Sequence, residues 1–360
     1  MILFRYVARR MLGAFLVALA GVVGIYLAVD FVDNASAYTG AGWLPAVLQL
    51  YAYKAAGVVY MVAPAALILG AGIATSMFRQ TREYTAMRAV GLGPWRLAVP
   101  VLAVTLLAGG VLVVLNDAVG VQAAERAEEI TAHRFARGGN LRRFLAAREP
   151  KRWFRGMDGK RVYHLRGNLP DGGFERVTVY ELAEGFTLAR RIDAARMHPD
   201  GRAWILEDVE DRTFRPDGSM ALERADRRRY AFDEPPDAFA VIAGKPDQMR
   251  WNTLIRQIGI RKRLGQPVTE FQLERYDRLA YPLAGIPGAL LALALALRRD
   301  RKGHLAAALL EAVGVTLLFW GMQGVSSALG LSGRVAPWIA SWAPNVVFLA
   351  LGAIAVHRAR

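Results

Sequence analysis

Residues 97–116 read LAVPVLAVTLLAGGVLVVLN, and residue 117 is Asp. The run carries no charge and has the length of roughly 20 apolar residues that one helix needs to cross a bilayer core. Two similar runs precede it, Met11–Val29 and Ala55–Phe78. Three follow after a long gap: Leu279–Leu297, Leu305–Gly333 (interrupted by Glu311) and Val335–His357. The gap, Asp117–Arg278, is rich in charged and turn-forming residues. The chain therefore reads as a membrane α-helical bundle of six transmembrane helices with a soluble domain inserted between the third and fourth. The expected boundaries are three spans over 1–116, the inserted domain with a helical start over 117–250, a linker helix over 251–278, and three spans over 279–360.

Composition supports this reading. Charged residues make up 21% and apolar residues 54%, with a mean hydropathy of +0.22, which is high for a water-soluble globule. There is no cysteine, which excludes disulfides, thiolate metal sites and cysteine nucleophiles. The net charge is +15, but residues 117–250 hold 25 Lys+Arg against 23 Asp+Glu, so +13 belongs to the membrane half. Nucleic-acid binders concentrate basic charge on a folded domain. Here the excess flanks the spans, so nucleic acid is not the expected partner.

The flanks set an orientation. Arg5, Arg9 and Arg10 precede the first span; Arg79, Arg82, Arg88 and Arg96 lie between the second and third. Arg298, Arg299, Arg301 and Lys302 lie between the fourth and fifth, and Arg358 and Arg360 follow the sixth. The short connections on the other side hold only Lys54 and Arg334. The positive-inside bias then places both termini in the cytosol and the central domain outside. Arg256, Arg261, Lys262 and Arg263 run against this pattern, but long translocated domains largely escape the rule. The first span is too long for the h-region of a cleaved signal peptide.

The inserted domain reads as β. Val162–Leu165, Val177–Leu182, Ala203–Val209 and Arg212–Phe214 are short strand-like runs. Asp158-Gly159, Pro170–Gly173, Pro199–Gly201 and Pro216–Gly218 separate them with turn chemistry. Such spacing predicts an all-β, jelly-roll-like domain, a sandwich or an open barrel, with Val179 and Ile205 pointing inward. No HExxH, GxSxG, EF-hand or Walker loop is present. His133, His164 and His198 are scattered, and Glu207, Asp208, Glu210 and Asp211 read as a solvated turn. No catalytic residue, metal site or cofactor is expected.

The second informative stretch is FRQTREYTAMRAVGLGPWRL, Phe78–Leu97. Tyr84, Met87 and Arg88 fall at helical spacing, and Val90 extends their face. Gly91 and Gly93 permit a left-handed exit and Pro94 prevents continuation. This predicts a short amphipathic helix near 79–91, serving as a lipid-contacting turn or as a coupling helix that docks a cytosolic partner.

At Arg82-Glu83-x-x-x-Met87-Arg88-Ala89-x-Gly91 the chain resembles the lipopolysaccharide-export permeases, the paired F and G subunits of a bacterial ABC transporter. Phe31-Val32-Asp33, Trp153–Tyr163 and Ala343-Pro344 extend the likeness, the first and third being closer to the G subunit. The resemblance implies a permease without enzymatic activity. Its implied partners are a second permease subunit, a dimeric cytosolic ATPase, a periplasmic jelly-roll bridge protein, lipopolysaccharide and membrane lipid. It implies ATPase coupling through Glu83, Tyr84, Met87 and Arg88. Where G-type sequences tend to carry lysines, this chain has Asn34-Ala35-Ser36-Ala37 beside Asp30 and Asp33. Substrate contact is then expected from the basic residues Lys54, Arg134, Arg137 and Arg334, each of which also fits a snorkelling anchor. Glu311 in the fifth span reads as a functional carboxylate or as a helix-dipole partner. The alternatives are a permease for another lipid or a lipoprotein, and a membrane-anchored scaffold without transport.

A topology reporter fused at Gly218 is expected to report a periplasmic location, and one fused after Arg360 a cytosolic one. A cytosolic signal at Gly218 overturns the orientation.

Overall fold

The computed structural model describes residues 2–40, 42–135, 152–156, 159–167, 169, 173–183, 185, 187–201, 203–215, 217–232, 234, 239, 245–263, 265–298 and 305–359. Arg137, Asp158, residues 170–172, Arg299, Arg301, Lys302 and Arg360 from the sequence analysis lie outside these. The chain divides into two compact units: Met1–Arg137 with Pro246–Leu254 and Thr269–Arg360, and Gly138–Lys245 with Ile255–Val268.

The first unit is helical. In order it contains α1 (Ile2–Asn34), α2 (Trp43–Gln80), α3 (Glu83–Ala89) and α4 (Pro94–Leu115). A π-helical turn, Asn116–Gly120, leads into α5 (Val121–Arg134). After α6 (Trp251–Arg263), which runs from this unit into the second, come α7 (Thr269–Leu283), α8 (Gly285–Arg298), α9 (Leu305–Leu331) and α10 (Pro337–Arg358). Six of the helical stretches among the described residues are long and apolar enough to cross a membrane.

The helical start expected after residue 117 is present: the third span continues as helix to Arg134. One boundary differs from expectation. The linker expected as one helix over 251–278 is two helices. Gly265 has φ +64°, and Pro267 disfavours helical geometry at Gln266.

The main core of this unit joins Val7, Met11 and Phe15 of α1 to Leu67, Ala71 and Phe78 of α2, with Leu97 and Val101 of α4, Leu290 and Leu293 of α8 and Val356 of α10. Small residues let helix backbones approach closely. A Cβ on Gly70 would lie 2.8 Å from Phe15 Cα, so glycine sets the α1–α2 distance there.

Proline breaks are covered by side chains. Pro344 has no N–H to give Ala340, and Ser326 Oγ donates to that carbonyl at 2.6 Å. At the α7–α8 break Ala284 N turns to the Tyr281 carbonyl, and Asn345 Nδ2 donates to the Ala280 carbonyl at 2.8 Å.

The second unit holds an antiparallel sheet, as expected for an all-β insertion. Its six strands are β1 (Arg152–Arg155), β2 (Arg161–Arg166), β3 (Phe174–Leu182), β4 (Leu188–Asp200), β5 (Ala203–Phe214) and β6 (Met220–Tyr230), hydrogen-bonded in sequence order. The predicted Asp200-Gly201 turn joins β4 to β5, with Asp200 opposite Ala203. One face is apolar: Tyr163, Leu165, Val179, Ile192, Met197, Trp204 and Leu206 are completely buried, with Phe232 and Phe239 packed on them.

Val179 points inward as expected, but Ile205 does not. It pairs with His198 and Arg229, alternating with the buried Trp204 and Leu206. β5 also runs unbroken through the carboxylates assigned to a turn. Asp211 is buried and accepts Arg190 Nε at 2.8 Å and Nη2 at 2.6 Å, and the Tyr230 hydroxyl at 2.9 Å.

Burial disfavours the Asp211 anion, but the Arg190 and Tyr230 hydrogen bonds outweigh it and hold the carboxyl below its usual range. A depressed folded-state pKa gives stability that is present above about pH 4, the unfolded value, and lost as pH falls through the folded one. The full-length chain is therefore expected to lose β-domain signal (near-ultraviolet dichroism of the Trp204 region) on acidification below that range. Asp211→Asn is expected to cost about 1–3 kcal/mol at neutral pH by removing the charge-assisted bonds from Arg190, which keeps Glu181 at 3.6 Å, and to flatten the acid transition. An acid midpoint identical to wild type would show that the pair does not contribute.

Candidate functional site: the α2–α4 connection

The connection turns sharply. Thr81 ends α2, its backbone N–H donating to the Met77 carbonyl at 3.0 Å. Arg82 takes a left-handed conformation, φ +61°, which is uncommon for a residue with a Cβ. That turn reverses the chain into α3, a helix of seven residues. It exits through Gly91, φ +80°, and Pro94 starts α4.

Glu83 sits at the first position of α3, where a carboxylate suits the helix dipole. It accepts the Tyr6 hydroxyl of α1 at 2.8 Å through Oε2 and the Thr81 hydroxyl at 2.9 Å through Oε1. The ring of Tyr6 lies 5.9 Å from Phe78, and Arg10 lies 5.5 Å from the same ring. Arg79 donates to the Leu297 carbonyl at the end of α8, a group left open by the helix terminus. The segment is thus fastened to α1 through Glu83 and to α8 through Arg79.

Tyr84 differs from its expected outward role. Its ring is 5% exposed and belongs to the main core with Val7, Phe78 and Leu97. Met87 packs against the same cluster. With two turns, α3 has one apolar face, and burying it against the bundle is more favourable than presenting it to water. Burial pushes the Tyr84 hydroxyl pKa up despite Arg88 and Arg79 nearby, and the hydroxyl has no hydrogen-bond partner among the described residues. Arg88 is exposed, and so are Thr85, Ala86, Ala89 and Val90, the last at 74%. The sequence placed Val90 on the Tyr84 face, but α3 stops at Ala89 and Val90 leaves that face. Tyr6 was not singled out by any spacing, because its partner is 77 residues away.

The basic residues fall on separate elements, and no interaction joins Lys54, Arg134 and Arg334 to one another. Lys54 of α2 is paired with Asp30 of α1 at 2.6 Å and lies 5.1 Å from the Tyr51 ring. Tyr51 also donates to Asp30, at 2.7 Å. The acidic departure near Asp30 therefore neutralises the lysine rather than adding to a cation cluster. Arg134 is exposed at the end of α5, and Arg334 is exposed in the α9–α10 turn.

The family profile described as "Lipopolysaccharide export system permease LptF/LptG" matches residues 5–358. The chain belongs to the LptF/LptG family. It is 22% identical over 290 residues to the protein named "Lipopolysaccharide export system permease protein LptG" of Escherichia coli strain K12, covering 79% of this chain and 78% of that one. It is 20% identical over 352 residues to the protein of the same name from Haemophilus influenzae, covering 96% of each. With six apolar helices, this family places the chain among multi-pass inner-membrane permeases.

Tyr84→Phe, which removes only the unpartnered hydroxyl, is expected to leave the thermal midpoint unchanged or raise it. Tyr84→Ala is expected to cost about 3–5 kcal/mol, as for other buried aromatic truncations. A larger loss in Tyr84→Phe than in Tyr84→Ala would refute burial as the role of this ring.

Proposed function

We propose that the chain is the G-type permease subunit of an ABC transporter that extracts lipopolysaccharide from the inner membrane and passes it to a periplasmic bridge. The observation that carries the reading is α3 fixed between α1 and α8. A partner pressing on the exposed Thr85–Val90 surface moves Glu83, and with it Tyr6 on α1. α1 joins the core through Val7, Met11 and Phe15, while only 11% of its apolar window is buried, so most of its surface is left for lipid or a partner subunit. The sequence contains no nucleotide-binding loop, so the energy source is a cytosolic ATPase bound at α3. Leu16, Val17 and Ile25 of α1 and Leu310, Leu317 and Val325 of α9 are exposed apolar residues that suit lipid and a second permease subunit. The orientation is the one set by the arginine flanks, with the β domain periplasmic.

Within this reading Glu83, Met87 and Arg88 belong to the coupling apparatus. Tyr84 anchors it from inside. Arg134 and Arg334 remain substrate-contact candidates, and Arg137 joins them by sequence alone. The Asp30–Lys54 pair favours a second version in which the cargo is a less phosphorylated lipid. Mass spectrometry of lipid retained by the complex separates the two.

Glu83→Ala frees Tyr6 and removes the only acidic group of the connection. It is expected to leave membrane insertion and ATPase co-purification measurable but to cut ATP-driven lipid release from proteoliposomes at least tenfold. That equals the loss of about 1.4 kcal/mol of coupling. Arg96→Ala on the same connection is expected to release lipid normally. Near-native release by Glu83→Ala would reduce α3 to a structural turn.

A further inference from the structure

The helical unit contains a cavity of about 350 Å³ between α2, the π-helical turn, α7 and α9. Its charged lining is Asp247, Glu274 and Asp277 against one base, Arg278. Glu274 is engaged by Arg278 Nε at 2.8 Å. Asp277 accepts Gln323 Nε2 at 3.3 Å and has no basic partner among the described residues. Tyr60 and Tyr281 face the same space, their ring centroids 5.9 Å apart.

Arg278 is 5% exposed. Its Nη2 donates to the Pro246 carbonyl at 3.0 Å and the Asp247 carbonyl at 3.2 Å. Its Nη1 has no hydrogen-bond partner among the described residues but is ion-paired with Asp117 Oδ1 at 3.9 Å. With Glu274 on Nε, the guanidinium charge is met from two sides, and Asp277 is left as a lining carboxylate with no base among the described residues.

We propose that this cavity binds the headgroup of a membrane phospholipid that carries a primary ammonium on a phosphodiester, of the phosphatidylethanolamine type. The ammonium lies against the Asp277 carboxylate and the Tyr60 and Tyr281 rings, which attract a cation through their faces. The acyl end has a place beside it. An apolar cavity of about 180 Å³, lined by Ala55, Val59, Leu112, Leu115 and Val119, shares Tyr60 and Asn116 with the polar one. The π turn, a distortion that recurs at functional sites, supplies Asn116 to both cavities. No group of three His, Cys, Asp or Glu side chains among the described residues suits a metal ion, and three acids against one base disfavour a free phosphate. The site rests on the six-span reading and not on the cargo of the transporter.

The test uses the full-length chain in nanodiscs of phosphatidylethanolamine and phosphatidylglycerol mixed equally, read by native mass spectrometry of retained lipid without ATP. Phosphatidylethanolamine is expected to be retained preferentially, with phosphatidylglycerol, which has no ammonium, lost. Asp277→Asn is expected to lower retention about tenfold, the weight of one charge-assisted hydrogen bond. Tyr60→Leu is expected to lower it about threefold and Tyr60→Phe, which keeps the ring, to leave it unchanged. If Asp277→Asn does not fold, the Tyr60 pair decides. Equal retention of the two phospholipids, unchanged retention in Asp277→Asn or in Tyr60→Leu, or recovery of an amine-bearing glycolipid in place of the phospholipid overturns the proposal. Lipopolysaccharide release is not part of the readout, so failure of the export reading leaves this result intact.

Discussion

A backbone carbonyl inside hydrocarbon has no water to turn to, and this constraint governs where the helices of the bundle are allowed to break. Each of three interruptions is covered by a side chain from another helix. Ser326 covers the carbonyl that Pro344 leaves open. Asn345 covers Ala280 where α7 gives way to α8, and Arg79 covers Leu297 where α8 ends. These donors tie α9 to α10, α10 to α7 and α2 to α8. The polar groups that repair the backbone thus also fix which helices are neighbours, a task that lipid-like side chains perform with little specificity.

The same logic gives α3 its place. A seven-residue helix is too short to be stable alone. It persists here because Tyr84 and Met87 are held by the core beneath them and because Glu83 links it to α1. A packed face beneath and a hydrogen-bonded link at one end hold the segment in one place. In the coupling role proposed for it, the Tyr6–Glu83 hydrogen bond and the shared core of Val7 and Tyr84 join its exposed face to α1, while the bond from Arg79 to α8 holds its root.

The spans and the β character of the insertion were legible because they depend on composition and on local turn chemistry. β4 and β6 were not. LARRIDAARMHPD and MALERADRRRY are rich in Ala, Leu, Arg and Glu, residues that favour helices in isolation. They become strands because β5 lies between them, offering Asp211 to Arg190 of β4, Glu210 to Arg224 of β6, and Arg212 to Asp193 of β4. Cross-strand pairing of that kind is invisible in either segment alone. The site was half legible for a related reason. Spacing identified the helix and its one carboxylate, but which face turned inward depended on a core assembled from α1, α4 and α8. Tyr6 carried no signal at all.

Charges inside the spans show a further regularity. A carboxylate removed from water needs a compensating partner. Asp30 has Lys54 at 2.6 Å, and Glu274 has Arg278 at 2.8 Å. Asp117 caps the start of α6 by accepting Trp251 N at 2.6 Å. Asp277 breaks the pattern: Gln323 donates to it, but no base among the described residues meets its charge, because the neighbouring Arg278 is already taken by Glu274 at 2.8 Å and Asp117 at 3.9 Å. An uncompensated carboxylate lining a cavity has its solution in a cation. The tyrosine rings beside it and the apolar pocket that adjoins the cavity suit a cation joined to a hydrocarbon tail. The adjoining apolar pocket is therefore what selects an ammonium-bearing amphiphile over a bare ion.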